Sequence, residues 1–230
     1  MPRSEDFPEK PRILRRPNKW LERTSPRVTP PVGEEAQASR HVRLRRSATP
    51  FGTSGEARLK SYEIRLYQPA DADQMHAGAL ESVAEIYPWM AWCHEGYSLA
   101  EARKWIDVQV DLARQGMAFE FAIFDEDHRF LGGCGINQIH KDNRFANLGY
   151  WIRTSATGRG AAPAAVRFVR DYAFRETELN RLEIVCAVGN TRSQRVAEKV
   201  GAVREGVLRS RLLLPSGPSD AIMYSLLRSQ

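Results

Sequence analysis

The sequence predicts an α/β domain over residues 61–230: a mixed sheet flanked by helices, with elements in the order β-α-α-β-β-β-α-β-α-β-β. Two observations carry this most directly. Beyond Ser61 the apolar residues alternate between two-residue spacing and helical spacing, the signature of strands interleaved with helices. One segment, Arg181–Val188, is close to continuously apolar, as expected of a strand covered on both faces at a sheet's centre.

The elements follow in order. Tyr62, Ile64 and Leu66 alternate with polar residues and give the first strand. Pro69 opens a helix reaching Ile86, with Met75, Ala79, Val83 and Ile86 as its apolar stripe. An aromatic loop runs from Tyr87 to Tyr97. Ser98 and Glu101 have the spacing of a capping box, so a second helix starts there, continues through Leu99, Ala102, Ile106, Val110 and Ala113, and stops at Gly116. Strands at Ala118–Phe124 and Phe130–Gln138 flank a short polar turn and form a hairpin. A third strand, Ala146–Arg153, leads through a glycine-bearing turn into a helix at Pro163–Glu176, whose inward face is Val166, Val169, Tyr172 and Ala173. After the central strand come a helix at Thr191–Val200, closed by Gly201, and two strands, Glu205–Leu214 and Asp220–Leu227, joined through Pro215-Ser-Gly-Pro218.

Residues 1–60 have another character. They hold 14 Lys/Arg against 7 Asp/Glu, while the remainder holds 20 against 21, so the net charge of +6 belongs to this arm. With 8 of the 13 prolines and little periodic apolar content, the arm buries too little surface to offset its ordering entropy and is expected to be disordered. A basic arm attracts nucleic acid without specificity. Here Arg12, Arg15, Arg16, Arg43, Arg45 and Arg46 are accompanied only by Trp20 and Phe51, which make no stacking platform, so nucleic acid is not an expected partner. Cys93, Cys134 and Cys186 lack CxxC spacing and are odd in number, which argues against a disulfide framework. Cys134 and Cys186 read as small core hydrophobes. No apolar run approaches the roughly 18–20 residues that span a bilayer, and the first residues lack a secretory apolar stretch. A cytoplasmic protein is expected, with no membrane partner and no metal, as a monomer or homodimer.

The informative segment is Leu148-Gly-Tyr-Trp-Ile-Arg-Thr-Ser-Ala-Thr-Gly158-Arg-Gly-Ala-Ala-Pro163. A strand leads into Gly-x-Gly-x-Ala and then into a helix. Small residues let backbone approach a ligand closely, and the first amides of a helix are unpaired and carry partial positive charge. Such a turn suits a pyrophosphate. Pro163 fits the first helical turn, where a missing N–H costs little. A Walker loop is excluded by the absence of Gly-Lys-Ser/Thr, and a dinucleotide fingerprint by Pro163 standing where its third glycine belongs.

Tyr150-Trp-Ile-Arg…Gly158-Arg-Gly-Ala-Ala resembles the acetyl-CoA-binding motif of the GNAT acetyltransferases. Arg181-Leu-Glu-Ile-Val-Cys-Ala-Val-Gly-Asn190-Thr-Arg-Ser193 and its continuation through Gly201 to Gly206 resemble the family's next motif, most closely in the branch of the ribosomal-protein N-terminal acetyltransferases. The resemblance covers residues 61–228 and implies the acyl-CoA N-acyltransferase fold, with acetyl-CoA as cosubstrate in a gap where the third strand splays from Arg181–Val188. It implies that backbone at Trp151, Ile152 and Arg153 pairs with pantetheine, that amides of Gly158, Arg159, Gly160, Ala161 and Ala162 hold the pyrophosphate, and that Arg159 adds a charge contact. Asn190 matches a residue bonding the pantetheine side, and Ser193 one that protonates the leaving thiolate. From the residues alone, Asn190 and Ser193 also suit the start of a helix, with Thr191 and Gln194 as a capping box.

The sequence also departs from the family. Thr157 stands where Gln or Arg is commonest, Ala197 where many members carry a Tyr acid, and Leu212 where a Glu base of a close relative falls. The resemblance therefore assigns no base. His94, His140, Glu120 and Glu183 are the candidates, each also readable as a surface or structural residue. Trp89, Trp92, His94 and Tyr97 occupy the loop that helps form the acceptor site in this family, and either line a groove or close the core. The expected reaction is direct acetyl transfer to a primary amine. The acceptor is a protein N-terminus or a small molecule such as a polyamine, amino acid or antibiotic, and a module that binds acetyl-CoA without turnover is the alternative of another class.

Overall fold

The computed structural model describes residues 62–228, so the 1–60 arm lies outside the described residues. Seven strands are found there: β1 (Glu63–Leu66), β2 (Phe119–Phe124), β3 (Phe130–His140), β4 (Phe145–Ile152), β5 (Arg181–Ala187), β6 (Val203–Leu214) and β7 (Gly217–Leu227). They form one sheet in the order β1-β2-β3-β4-β5-β7-β6. Every neighbouring pair is antiparallel except β4 and β5, which are parallel. A parallel pair needs a crossover, and helix α4 (Ala161–Glu176) supplies it.

Alternation along the strands builds two cores. Phe121, Ile136, Leu148, Leu182 and Ile184 point to one face, where they meet Val166 and Val169 of α4 and Ala197 of α5 (Thr191–Lys199). Ala122, Phe124 and Phe130 point to the other, under Met75 and Ala79 of α1 (Ala72–Glu81) and Ala102 and Ile106 of α3 (Leu99–Arg114). That second core includes no residue of β5, β6 or β7, so the α1–α3 layer covers only half of its face.

The predicted order holds, with one division. The helix expected from Pro69 to Ile86 is a 3₁₀ turn (Pro69–Asp71), then α1, then a separate short α2 (Val83–Ile86). Ser82 causes the break: its Oγ donates to Gly78 O at 2.7 Å and accepts from Thr154 N–H at 2.9 Å. A hydroxyl bonded to the carbonyl four residues back competes with the helical ladder. The capping box forms as expected, with Ser98 N–H on Glu101 Oε2 at 2.8 Å and Glu101 N–H on Ser98 Oγ at 3.3 Å. All three cysteines are free and buried.

The α1–α2 break also grips the segment after β4. Glu81 accepts from the Arg153 guanidinium and, at 2.8 Å, from Ser155 N–H; the Arg153 contact, largest of several, holds its carboxyl down at about 2. Glu85 accepts from Thr154 Oγ1 at 2.9 Å. Replacing Ser82 by Ala strands the partly buried Thr154 N–H at a cost of about 1 kcal/mol and is expected to lower the melting temperature by a few degrees in a thermal scan.

Candidate active site

Strands β4 and β5 pair only at Phe145 with Arg181, Ala146 with Leu182, and Asn147 with Glu183. Beyond these, β4 stays on β3 through Ile152 and β5 stays on β7 through Ala187, so the two strands part. Backbone alternation fixes what the opening presents. Arg153 N–H donates to Leu131 O at 2.8 Å and Asn180 N–H to Arg144 O at 2.8 Å, so odd-numbered residues of β4 bond toward β3 and even-numbered ones face β5. Tyr150 and Ile152 therefore turn their backbone groups into the gap. Those of Trp151 and Arg153 are committed to β3, which departs from the expected contiguous run of Trp151, Ile152 and Arg153. The Arg153 side chain is likewise engaged, with Glu81 and with Phe130 O at 3.1 Å.

A cavity of about 510 Å³ occupies the gap, lined by Tyr150, Trp151 and Ile152 on one side and by Asn190 and Ser193 on the other. Its end is the glycine turn, where Gly158 (φ 74°) and Gly160 (φ 92°) take left-handed conformations that favour glycine. Gly160 is the N-cap of α4, which begins two residues before the expected Pro163. Gly158, Gly160, Ala161 and Ala162 line the cavity; Arg159 does not, and its carbonyl accepts from Tyr62 Oη at 2.6 Å. The cations that do line it are Arg192, Arg195 and Lys199 of α5. Their spacing puts them on one helix face. Unpaired amides, a turn without side chains and three cations form a donor set that fits a pyrophosphate and its pantetheine arm.

Asn190 is the N-cap of α5: its Oδ1 accepts from Ser193 N–H at 3.1 Å. The expected Thr191–Gln194 box does not form, because Gln194 Nε2 instead donates to Ala187 O and Val188 O. Ser193 Oγ lies 3.0 Å from Tyr150 Oη and 3.2 Å from Cys186 Sγ. Burial raises the pKa of both the tyrosine and the thiol, so both stay protonated at neutral pH. Tyr150 thus arrives from β4 beside Ser193, while Ala197, where a family tyrosine would stand, is fully buried in the core.

Of the four aromatic-loop residues, Trp89 alone lines the cavity, and its ring reaches within 3.3 Å of where a Cβ on Gly189 would stand. Trp92 packs on Tyr97 and Trp151 at 5.4 and 5.3 Å between ring centroids. Tyr97 is buried, and burial pushes its hydroxyl up to about 12. His94 is half-buried and pairs with Glu101 at 3.4 Å. Those three close the second core or sit outside the cavity wall.

The candidate bases separate as clearly. His140 stacks on Phe145, at the end of β4 away from the gap. Glu183 accepts from Arg181 Nε at 2.8 Å, and Arg181 also binds both oxygens of Glu205, so both carboxylates are engaged by one shared guanidinium. Glu120 is partly buried without an ion pair among the described residues, and burial pushes it up to about 7 against the opposing hydrogen bond from Asn137. Among the described residues, no cluster of His, Cys, Asp and Glu could hold a metal ion and no helix is long and apolar enough to cross a membrane.

Residues 62–203 match the family model described as an acetyltransferase (GNAT) domain. The Bacillus subtilis (strain 168) protein YdaF is 30% identical, over 73% of this chain and 91% of its own. The ribosomal-protein-serine acetyltransferase of Escherichia coli (strain K12) is 29% identical, over 66% of this chain and 90% of its own. Among solved structures, RimL, a ribosomal L7/L12 alpha-N-protein acetyltransferase in complex with coenzyme A, superposes with a TM-score of 0.68 at 25% identity, covering 72% of this chain and 93% of that one. Mycobacterium smegmatis RimJ, in complex with a CoA disulfide, gives 0.68 at 26%, covering 73% and 82%.

The raised Glu120 carboxyl predicts a stability signature. A carboxyl with its folded pKa above its unfolded value destabilises the fold as pH rises between the two. Glu120→Gln is therefore expected to leave the melting temperature unchanged below about pH 4.5, to raise it progressively toward pH 7, and to hold a constant gain above that, as read by scanning fluorimetry across pH.

Proposed function

We propose that this chain, which belongs to the acetyltransferase (GNAT) family and transfers the acetyl group of acetyl-CoA, uses the N-terminal amine of a protein as its acceptor. One observation carries the choice of acceptor. Beside the gap the α1–α3 layer stops short of β5 and β7, none of whose residues belong to its core. The result is a trough along the splayed strands rather than an enclosed acidic pocket, and its Glu183 and Glu205 are already paired with Arg181. An open trough accepts an extended peptide, whereas a polyamine is best held by unpaired carboxylates in an enclosure. The E. coli relative named for ribosomal-protein serine acetylation supports the same reading.

Each part of the chain then has a task. Amides at Gly158, Gly160, Ala161 and Ala162 hold the pyrophosphate at the start of α4, with Arg192, Arg195 and Lys199 supplying charge. Backbone groups of Tyr150 and Ile152 pair with the pantetheine amides, and the Asn190 NH₂ group faces the same arm. Trp89 covers the cavity from the loop side. Acetyl-CoA supplies the thioester that the amine attacks directly, without a covalent enzyme intermediate. Holding both reactants in one gap converts a bimolecular step into an effectively unimolecular one. Ser193 Oγ, flanked by the protonated Tyr150 and Cys186, is positioned to give a proton to the departing sulfur.

The test is thiol release from acetyl-CoA with free N-terminal peptides, polyamines and amino acids, with products located by mass spectrometry. Acetylation at peptide α-amines is expected; turnover confined to small amines would replace the proposed acceptor. Gly160→Asp retains a residue tolerant of left-handed backbone but sets a carboxylate against the pyrophosphate, and is expected to weaken acetyl-CoA binding by at least about tenfold, or about 1.4 kcal/mol, in titration calorimetry.

A further inference from the structure

We propose that Glu120 is the proton acceptor for the incoming amine, and that Gly135 and Gly149 keep a bare strip of sheet between its carboxylate and the gap. The proposal rests on acetyl transfer to an amine and not on the amine being that of a protein.

Register places these residues in one row. Glu120 of β2 is opposite Gly135 of β3, and Gly135 is opposite Gly149 of β4, beyond which β4 and β5 have parted. Residues opposite one another share a face, here the face of Ala122 and Phe124 under the α1–α3 layer. Two glycines thus leave no side chain between the carboxylate and the opening. The Glu120 side chain leans over Gly135 so closely that a Cβ there would collide with its Oε2. Neighbouring strands lie about 4.8 Å apart, so one strand spacing separates that oxygen from Gly149, room for one water or the amine itself. A Cβ on Gly149 would meet only Asn147 Nδ2, at 3.9 Å.

The carboxylate is held for this task. Asn137 Nδ2 donates to Oε1 at 2.9 Å, and Asn147 Nδ2 donates to Asn137 Oδ1 at 3.0 Å, a line of amides that ends where β4 leaves β5. Oε1 is thereby fixed and Oε2 faces the strip. At Gly133, the next residue of β3 on this face, a Cβ would stand 2.6 Å from Tyr67 Oη and 3.0 Å from Trp151 Nε1. The Tyr67 hydroxyl is buried without a partner, an unmet donor at the strip's edge. The titratable groups that sense Glu120 are Tyr67 and Cys134; burial raises both well above neutrality, so neither competes for the proton near pH 7. A base that titrates near 7, as Glu120 does, is well matched to an α-amine of pKa about 8.

In the step, the neutral amine forms its bond to the acyl carbon as one N–H proton passes to Glu120 Oε2, directly or through one water. The C–S bond breaks with its electron pair on sulfur, which takes a proton from the Ser193 side; Glu120 then releases its proton to water, and water returns one to the Ser193 side.

The experiment compares the full chain with Glu120→Gln and Gly149→Val, using a free N-terminal serine peptide and spermidine as separate acceptors. Glu120→Gln is expected to lower kcat/KM by about 10²-fold or more with the acetyl-CoA Kd unchanged. Below pH 7, the logarithmic slope of kcat/KM should fall from two, for amine and carboxylate together, to one for the amine alone. Gly149→Val is expected to fill the strip, cutting kcat/KM at least tenfold with acetyl-CoA binding and melting temperature retained. Activity of Glu120→Gln within threefold of the parent, an unchanged slope, or full activity of Gly149→Val would overturn the proposal, as would loss of acetyl-CoA binding in both variants. Turnover of spermidine but not the peptide would remove the protein acceptor and leave the Glu120 result readable. Independently of any acceptor, infrared difference titration against Glu120→Gln should show a carboxyl titrating near pH 7; titration below pH 5 would overturn it.

Discussion

The parallel pairing of β4 with β5 stops at Asn147 and Glu183, while each strand keeps its antiparallel neighbour on the other side. A sheet with complete ladders would have no unpaired backbone at its centre. This one exposes the polar groups of Tyr150 and Ile152 inside the fold, where a peptide-like ligand is the natural partner for them. The crossover by α4 makes that tolerable, since the start of α4 stands at the end of the opening and its free amides face the same space. Strand separation and helix start thus jointly define one elongated polar cleft.

That geometry depends on elements distant in sequence. The segment between β4 and the glycine turn is clasped by Glu81, Ser82 and Glu85, all at the interruption between α1 and α2. An uninterrupted helix would direct Ser82 Oγ elsewhere and leave Thr154 N–H unmatched. On the opposite side, the α1–α3 layer ends before β5 and β7, none of whose residues join its core. One layer therefore both clasps the segment before the glycine turn and ends short of β5 and β7.

Much of this was legible in the residues. Strand and helix order followed from spacing, and Ser98 with Glu101 marked a helix start that the structure reproduces. The glycine turn was readable because Gly158 and Gly160 answer a local backbone need. Less accessible were features set by register and tertiary contact. Nothing local says that Trp151 and Arg153 bond toward β3, that Tyr150 meets Ser193 across 43 positions, or that Glu120, Gly135 and Gly149 fall in one row. The aromatic loop shows the same limit: Trp89, Trp92 and Tyr97 are alike in composition, and packing alone sends one to the cavity and two to the core. Arg159 drew notice by lying within the motif, yet the lining cations come from α5, whose polar face looks in sequence like any solvated one.

Asn190 carries a consequence for molecular recognition. Its carbonyl oxygen is anchored to Ser193 N–H and the residue lines the cavity, so the group it has left to offer a ligand is the amide NH₂. In the proposed role the residue discriminates by polarity: its NH₂ group donates to a ligand carbonyl and has no bond to offer a ligand N–H. An aspartate would keep the helix anchored while inverting that preference, so architecture and selectivity are carried by opposite ends of one side chain.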